Sequence, residues 1–542
     1  MKSTHAAIHR HAREVFGWDE LRPRQAEAVE AALSGRDVLA VMPTGYGKSA
    51  VYQLAGVLAE GPCVVVSPLI ALQADQRDGL NELPVGAGTR AVAINSSFSA
   101  RKQEQAWQSV ENGEATFLFL TPEQLAKDDV LARVRDVRPA FLAVDEAHCV
   151  SAWGHDFRPD YLRLGTARHR LGSPTIIALT ATASTPVRQE IVEGLAMDDP
   201  LVIALGFDRP NLHLAVERHH EDSGKRESVL EQVAGLPHPG LLYTATRRAA
   251  ADYAAGLRER GLAARAYHAG LKTADREETL QRFLDGAVDV VVATSAFGMG
   301  IDKADVRFVV HADITDSLDT YYQEAGRAGR DGQEAQVVLH YRSEDLGLRS
   351  FFSTHHADQN VVVAVVRELQ RAEGPLRLTH LKGAVDVSAR RVTGTVNLLQ
   401  AAGAVASSRK GLTLVEGVGP KTAARLAEET AERMERIDGS RIEMMRGYAE
   451  TDGCRRQYLL GYFGEELADP CGNCDACDAG TAEDLTHDDA EFALQSGVVH
   501  REWGRGLVMS VNDDRITVLF EEQGYRTLSL EAVREQGLLT RT

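Results

Sequence analysis

Four groups of residues in this 542-residue chain have types and spacings that can do chemistry. The first is Met42-Pro43-Thr44-Gly45-Tyr46-Gly47-Lys48-Ser49, set between an apolar run and a helical one. Glycines let backbone N–H groups curl around phosphate oxygens, and a helix N-terminus adds partial positive charge. Lys48 would then reach the β and γ phosphates of ATP, and the Ser49 hydroxyl would ligate magnesium. The common phosphate-loop pattern has glycine where Met42 stands. The second group, Asp145-Glu146-Ala147-His148, ends another apolar run. Asp145 can hold the magnesium through its water shell, and Glu146 can orient and deprotonate an attacking water. The third is Gln323-Glu324-Ala325-Gly326-Arg327-Ala328-Gly329-Arg330, whose two arginines share a face if helical. Such arginines stabilise the charge on a phosphoryl group in transfer. The fourth is Cys471, Cys474 and Cys477 with Cys454, 17 positions upstream. Four thiolates with no open position describe a structural tetrahedral zinc site.

The elements that must position these residues read as follows. Short apolar runs at 37–42, 63–68, 116–122, 140–146 and 175–182 alternate with helical stretches, and each ends in a polar or Gly/Pro-marked turn. Buried parallel strands look like this, and ligands collect at their C-terminal ends. The pattern repeats at 240–246, 288–295, 308–313 and 335–341. Two such sheets imply a cleft between two lobes, with the hinge near Phe207-Asp208-Arg209-Pro210-Asn211. Beyond residue 355, helical patterns at 361–371 and 388–402 and a hairpin at 405–415 suggest a winged helix. The second helix has a Ser388 cap, apolar Val392, Val396 and Leu399 on one face, and Gly403 as its stop. The cationic start of that helix, Arg390 and Arg391, is the expected DNA-facing part. The last 45 residues or so alternate as strands do, at Ile516, Val518 and Phe520.

Bulk composition fits a globular chain: 44% of residues are apolar and 25% charged. There is no apolar run of membrane-spanning length and no secretory core near the N-terminus, so a cytoplasmic, nucleoid-associated protein is expected. Cys63 and Cys149 read as inert core thiols. The net charge of −18 is unusual for a DNA binder, yet residues 377–410 hold six basic residues against one acid. Binding depends on such local patches rather than on the total.

Taken in order, the motifs resemble those of the RecQ helicases of superfamily 2 over about residues 8–345. Added to the groups above are Ser67 to Leu72 with Asp75-Gln76, Thr121-Pro122-Glu123, Leu179 to Ala183, Tyr267 to Leu271 and Ala293 to Lys303. The resemblance implies two RecA-like lobes and an ATP-dependent DNA helicase of 3′-to-5′ polarity, working in repair and recombination on single-stranded and forked DNA. It assigns adenine contacts to Arg22 and Gln25 with Trp18 stacked nearby, and phosphate contacts to Thr44, Gly45, Tyr46 and Gly47. Tyr46 stands where the family usually has glycine. The segment after the acidic pair, with Trp153, His155, Phe157 and Arg158, resembles the aromatic-rich loop of RecQ proteins. Its rings can stack on unpaired bases at about 1–3 kcal/mol each.

The organisation that follows is an α/β fold. A RecA-like lobe spans 1–205, a second spans 206–353, and a winged-helix-like segment spans 354–415. Next come a linker or helix–hairpin–helix at 416–437, a helical zinc module at 438–482, and a small Tudor-like β-barrel at 490–542. The barrel resembles the tail of UvrD-type helicases, which implies a protein-docking role. About 120 residues separate Arg330 from Cys454, whereas in the family the zinc module follows the motor closely and the winged helix comes after it. With this order of parts, either the zinc module or the winged-helix-like segment could part the strands, and the motor could unwind or only translocate. Tyr448, Arg455 and Arg456 could make phosphate contacts or pack internally.

Overall fold

A computed structural model describes residues 2–542 except 69, 85, 87, 96–97, 152–159, 299–302, 348–356, 409–410, 483–490, 495, 512–513 and 521. The chain forms two compact units. One holds Met1–Met42, Tyr46–Leu205 and His355–Glu435; the other holds Pro43–Gly45, Gly206–Thr354 and Arg436–Thr542.

In the first unit, seven parallel strands are β1 (Val38–Val41), β2 (Cys63–Val66), β3 (Ala91–Ile94), β4 (Phe117–Leu120), β5 (Phe141–Val144), β6 (Thr175–Thr180) and β7 (Leu201–Ala204). Their order is β3-β4-β2-β5-β6-β1-β7. All four residues of β1, β2, β4 and β5 are buried, because helices cover both faces of such a sheet. That is why these strands read as unbroken apolar runs rather than alternating ones.

The second unit repeats the plan with β8 (Leu212–Arg218), β9 (Gly240–Tyr243), β10 (Ala264–Tyr267), β11 (Val290–Ala293), β12 (Phe308–His311) and β13 (Ala335–Tyr341). Again every pairing is parallel, in the order β10-β11-β9-β12-β13-β8. Gly240 is a glycine for space: a Cβ there would stand 2.1 Å from the Phe308 ring on the next strand.

Residues 355–435 belong to the first unit and have their own core. Helix Gln359–Arg371, a bridge at Leu376, helices Leu378–Ala384 and Ala389–Ala401, and the hairpin β14 (Val405–Ser408) with β15 (Gly411–Leu414) follow in the order of a winged helix. Ser388 caps the third helix, and Val392, Val396 and Leu399 are buried in it, as its periodicity implied. The turn Glu416–Gly419 is preceded by strand β15 and leads straight into the 31-residue helix Pro420–Glu450.

The remainder of the second unit is the helix Arg455–Tyr462, the cysteine loop, and β16 (Gly497–His500), β17 (Gly504–Val511), β18 (Arg515–Phe520), β19 (Gly524–Ser529) and β20 (Leu539–Arg541). These five strands form an antiparallel sheet ordered β19-β18-β17-β16-β20. The helix Leu530–Gln536 joins the two edge strands and buries Leu530 and Val533 against the core of Val498, Val508, Ile516, Val518 and Phe520. Among the described residues no helix is long and apolar enough to cross a membrane.

Candidate nucleotide and zinc sites

The loop from Met42 to Lys48 joins the C-terminal end of β1 to the helix Ser49–Leu58. Gly45 and Gly47 have φ of 78° and 76°, left-handed values that a side chain would strain. Gln25, 4% exposed, accepts from Arg22 N–H at 2.8 Å and donates to the carbonyls of Tyr46 and Gly47 at 3.1 and 3.0 Å. Its amide thus shapes the loop from below. The Arg22 guanidinium lies over the Tyr46 ring at 5.2 Å, and Trp18 stacks on Phe16 with centroids 4.5 Å apart. Lys48 Nζ donates to the Met42 carbonyl at 3.1 Å.

The acidic pair follows β5. Asp145 is 5% exposed, and burial with the neighbouring Glu146 charge pushes its carboxyl up to about 7, against the pull of Lys48. A carboxylate pair buried in this way is costly unless a cation accompanies it. Gln76 donates to Ser49 Oγ at 3.2 Å, accepts from Tyr52 at 3.1 Å, and also hydrogen-bonds Asp145. One amide therefore ties the two expected magnesium ligands, Ser49 and Asp145, together. The donor set of hydroxyl and carboxylate oxygens fits magnesium. Glu146 sits at φ 50°, ψ 48°, a left-handed conformation that costs a non-glycine residue about 1–2 kcal/mol. His148 Nδ1 lies 2.9 Å from Thr180 Oγ1, whose own proton goes to the Thr182 carbonyl, so the imidazole is the donor. It binds the end of β5 to the end of β6.

Trp153, His155, Phe157 and Arg158 lie outside the described residues. The two ends of their segment are described: Ser151 donates to Glu190 at 2.6 Å, and buried Tyr161 donates to the Asp145 carbonyl at 3.1 Å. The second attachment runs straight to the acidic pair.

In the second unit, Gln323 lies on the helix Leu318–Ala325, which Ser317 caps. Arg327 and Arg330 follow in the turns beyond it; Arg327 is 4% exposed and hydrogen-bonds Tyr243. Arg209 donates to the carbonyls of Ala328 and Gly329 at 2.9 and 3.0 Å, and Asn211 donates to Gly329 and Gln333 at 2.9 and 2.8 Å. Gly329 has φ 56°, and a Cβ there would stand 2.5 Å from Asn211 Nδ2. The segment read as a hinge is thus also the clamp on the arginine loop, a role that no local pattern announced.

The four cysteine sulfurs all lie within 4.8 Å of one another, with Cys471 and Cys477 3.9 Å apart. Zinc–sulfur bonds of about 2.3 Å give a tetrahedral edge of about 3.8 Å, so the set fits zinc. Backbone N–H groups of Cys471 and Asn473 point at the sulfurs of Cys454 and Cys471, at 3.2 and 3.4 Å, and stabilise thiolates. Cys474 bridges Leu214 in parallel, and Asp475 accepts from Val216 N–H at 2.9 Å. The cysteine loop therefore covers the free edge of β8. Arg455 pairs with Asp475 and donates to the Tyr448 carbonyl at 2.7 Å, while Arg456 pairs with Asp208 at 3.1 Å. Tyr448, Arg455 and Arg456 are all buried, which decides for packing over phosphate contact. Arg390 and Arg391 are exposed at the start of the winged-helix segment's third helix, with Arg391 paired to Asp358.

Residues 22–191 match the DEAD/DEAH box helicase family, 224–332 the helicase conserved C-terminal domain and 420–478 the RecQ zinc-binding domain. A probable ATP-dependent DNA helicase RecS of Bacillus subtilis is 33% identical over 469 residues, 86% of this chain and 90% of that protein. The chain belongs to the RecQ family. RecQ of Pasteurella multocida is 34% identical over 464 residues, 85% of this chain, which spans only 61% of that relative's length. Residues 498–534 match a family described as a protein of unknown function (DUF3553). Among solved structures, the Mycobacterium smegmatis helicase Lhr bound to single-stranded DNA and AMP-PNP has a TM-score of 0.51 at 21% identity, covering 79% of this chain and 62% of that one. The helicase MrfA bound to DNA and AMPPNP has a TM-score of 0.53 at 19% identity, covering 76% and 62%. At these identities the likeness is one of fold. RecQ membership implies ATP, magnesium and zinc, and the residues above provide for each.

Proposed function

We propose that this RecQ-family chain is an ATP-dependent DNA helicase that travels 3′ to 5′, acting on single-stranded and forked DNA in repair and recombination. The observation that carries the proposal is the convergence of Lys48, Ser49, Gln76, Asp145 and Glu146 at the ends of β1 and β5. Lys48 would neutralise the β and γ phosphates, with Thr44, Gly45, Tyr46 and Gly47 offering the loop around them. Trp18, Arg22 and Gln25 would read the adenine. Glu146 would orient and deprotonate the attacking water, while Gln323, Arg327 and Arg330 would steady the phosphoryl charge. Magnesium held by Ser49 and Asp145 would supply charge neutralisation at the phosphates.

Trp153, His155, Phe157 and Arg158 would stack on unpaired bases, and Tyr161 would pass their occupancy to Asp145. Arg390 and Arg391 would meet backbone phosphates. Zinc would act structurally. The C-terminal sheet would dock a protein partner, and the molecule would work in the cytoplasm on the nucleoid. A labelled forked duplex with a 3′ or a 5′ overhang tests this. Strand release with magnesium-ATP from the 3′-overhang fork is expected; ATP consumption without strand release would leave a translocase in place of a helicase.

A further inference from the structure

The C-terminal sheet does more than sit at the end of the chain. Gly524 of β19 lies against Ser440 and the Arg436 carbonyl of the helix Pro420–Glu450, and a Cβ on Gly524 would stand 2.2 Å from Ser440 Oγ. Tyr525, 7% exposed, stacks on Tyr462 at the end of the helix Arg455–Tyr462, with centroids 5.1 Å apart and planes at 28°. Tyr462 is 3% exposed and its hydroxyl donates to Asp319, itself 5% exposed. Asp319 lies in the first turn of the helix that leads into Arg327 and Arg330. Two side-chain contacts thus connect the sheet to the arginine helix.

The residues around this connection are buried and hydrogen-bonded. Burial and the adjacent carboxylate hold the Tyr462 phenol well above its usual range, so it stays a donor at any working pH. Arg441, 7% exposed, pairs with Asp438 at 3.1 Å and feels the charge of Asp319. Two further bonds hold the same helix. Tyr321 and Tyr448 share a hydroxyl contact of 3.0 Å, and Tyr322 donates to the Phe207 carbonyl at 2.9 Å. Neither of those involves the C-terminal sheet. The Asp319 end of the helix is the one tied to it through Tyr462.

We propose that the C-terminal sheet sets the rate of ATP hydrolysis, with Tyr525, Tyr462 and Asp319 as positioning residues for Arg327 and Arg330. The proposal rests on the ATPase reading above. Removing the Tyr462 hydroxyl leaves a buried carboxylate short of a donor and frees the start of the helix, and catalytic geometry tolerates little displacement. A partner that pulls on the sheet would act through the same route.

The test uses full-length chains: Tyr462→Phe, which keeps the ring, Tyr525→Ala, which removes the stack, and Tyr525→Phe, which restores it. With saturating single-stranded DNA, Tyr462→Phe and Tyr525→Ala should lower kcat about 5- to 30-fold while KM for ATP moves less than about 2-fold. Tyr525→Phe should match wild type. Each variant should still bind one zinc, and amide exchange at 318–330 should quicken in the first two. Wild-type kcat in both Tyr462→Phe and Tyr525→Ala overturns the proposal, as does a loss carried by KM alone. If Tyr525→Ala fails to fold or loses zinc, Tyr462→Phe decides. Failure of the ATPase reading looks different, because wild type itself would then hydrolyse no ATP; the exchange measurement still decides whether the sheet holds the helix.

Discussion

Gly329 is a residue whose own backbone shapes the loop that carries Arg327 and Arg330. Its left-handed φ and the 2.5 Å approach of Asn211 both exclude a side chain. Gly329→Ala should cost about 1–2 kcal/mol of local strain and displace the arginine loop. The expected outcome is a kcat at least about 10-fold lower with zinc content unchanged, read by steady-state hydrolysis. His340 makes a second prediction at this scale. It donates from Nε2 to Gln232 at 2.8 Å and accepts from His219 at 2.9 Å, an arrangement that needs a neutral ring. Burial, with the His219 and Lys225 charges, depresses it to about 3. The unfolded chain takes up that proton near pH ~6.5 and the folded chain does not, so stability falls as pH falls from there toward 3. Between pH 6.5 and 5 this one group should remove roughly 1.5 kcal/mol. Urea midpoints at the two pH values check it, and His340→Gln should flatten the difference.

At the scale of elements, the zinc loop and β8 are one structure. Cys474 and Asp475 satisfy the outer edge of β8, and Arg456 and Asn473 hold the segment that clamps the arginine loop. Removing zinc should therefore be felt in the helicase lobe. Chelation or Cys471→Ser should raise amide exchange at Val216 by about 10-fold or more and lower hydrolysis, and added zinc should restore the chelated wild type. Protected Val216 in zinc-free protein would contradict this. The strands themselves were legible in the sequence because parallel strands buried on both faces leave unbroken apolar runs, and the helix Ala389–Ala401 because Val392, Val396 and Leu399 keep helical spacing. The candidate site residues stood out where they sit in short strings that the structure places at strand ends, as Lys48 and Asp145 do. What was not legible joins distant positions: Arg209 to the arginine loop, 119 and 120 residues on, and Tyr462 to Asp319, 143 residues back. Those contacts come from packing in the folded chain, and no local period encodes them. The same holds for Gln25, whose bonds to the Tyr46 and Gly47 carbonyls, 21 and 22 residues on, have no local signal.

For the whole molecule, nucleotide hydrolysis at the first lobe's strand ends would drive movement on DNA, with the zinc loop and C-terminal sheet bracing the arginine-bearing lobe. Net charge of −18 disfavours a general affinity for polyanions, so in the proposed DNA binding local groups such as the exposed Arg390 would supply the attraction. The most direct measurement is the steady-state rate of ATP hydrolysis by wild type and Lys48→Ala, alone, with single-stranded DNA and with RNA of matched length. The account predicts strong stimulation of wild type by DNA over RNA, and a rate at least about 100-fold lower in Lys48→Ala. Equal stimulation by RNA and DNA, or a Lys48→Ala rate equal to wild type, would contradict it.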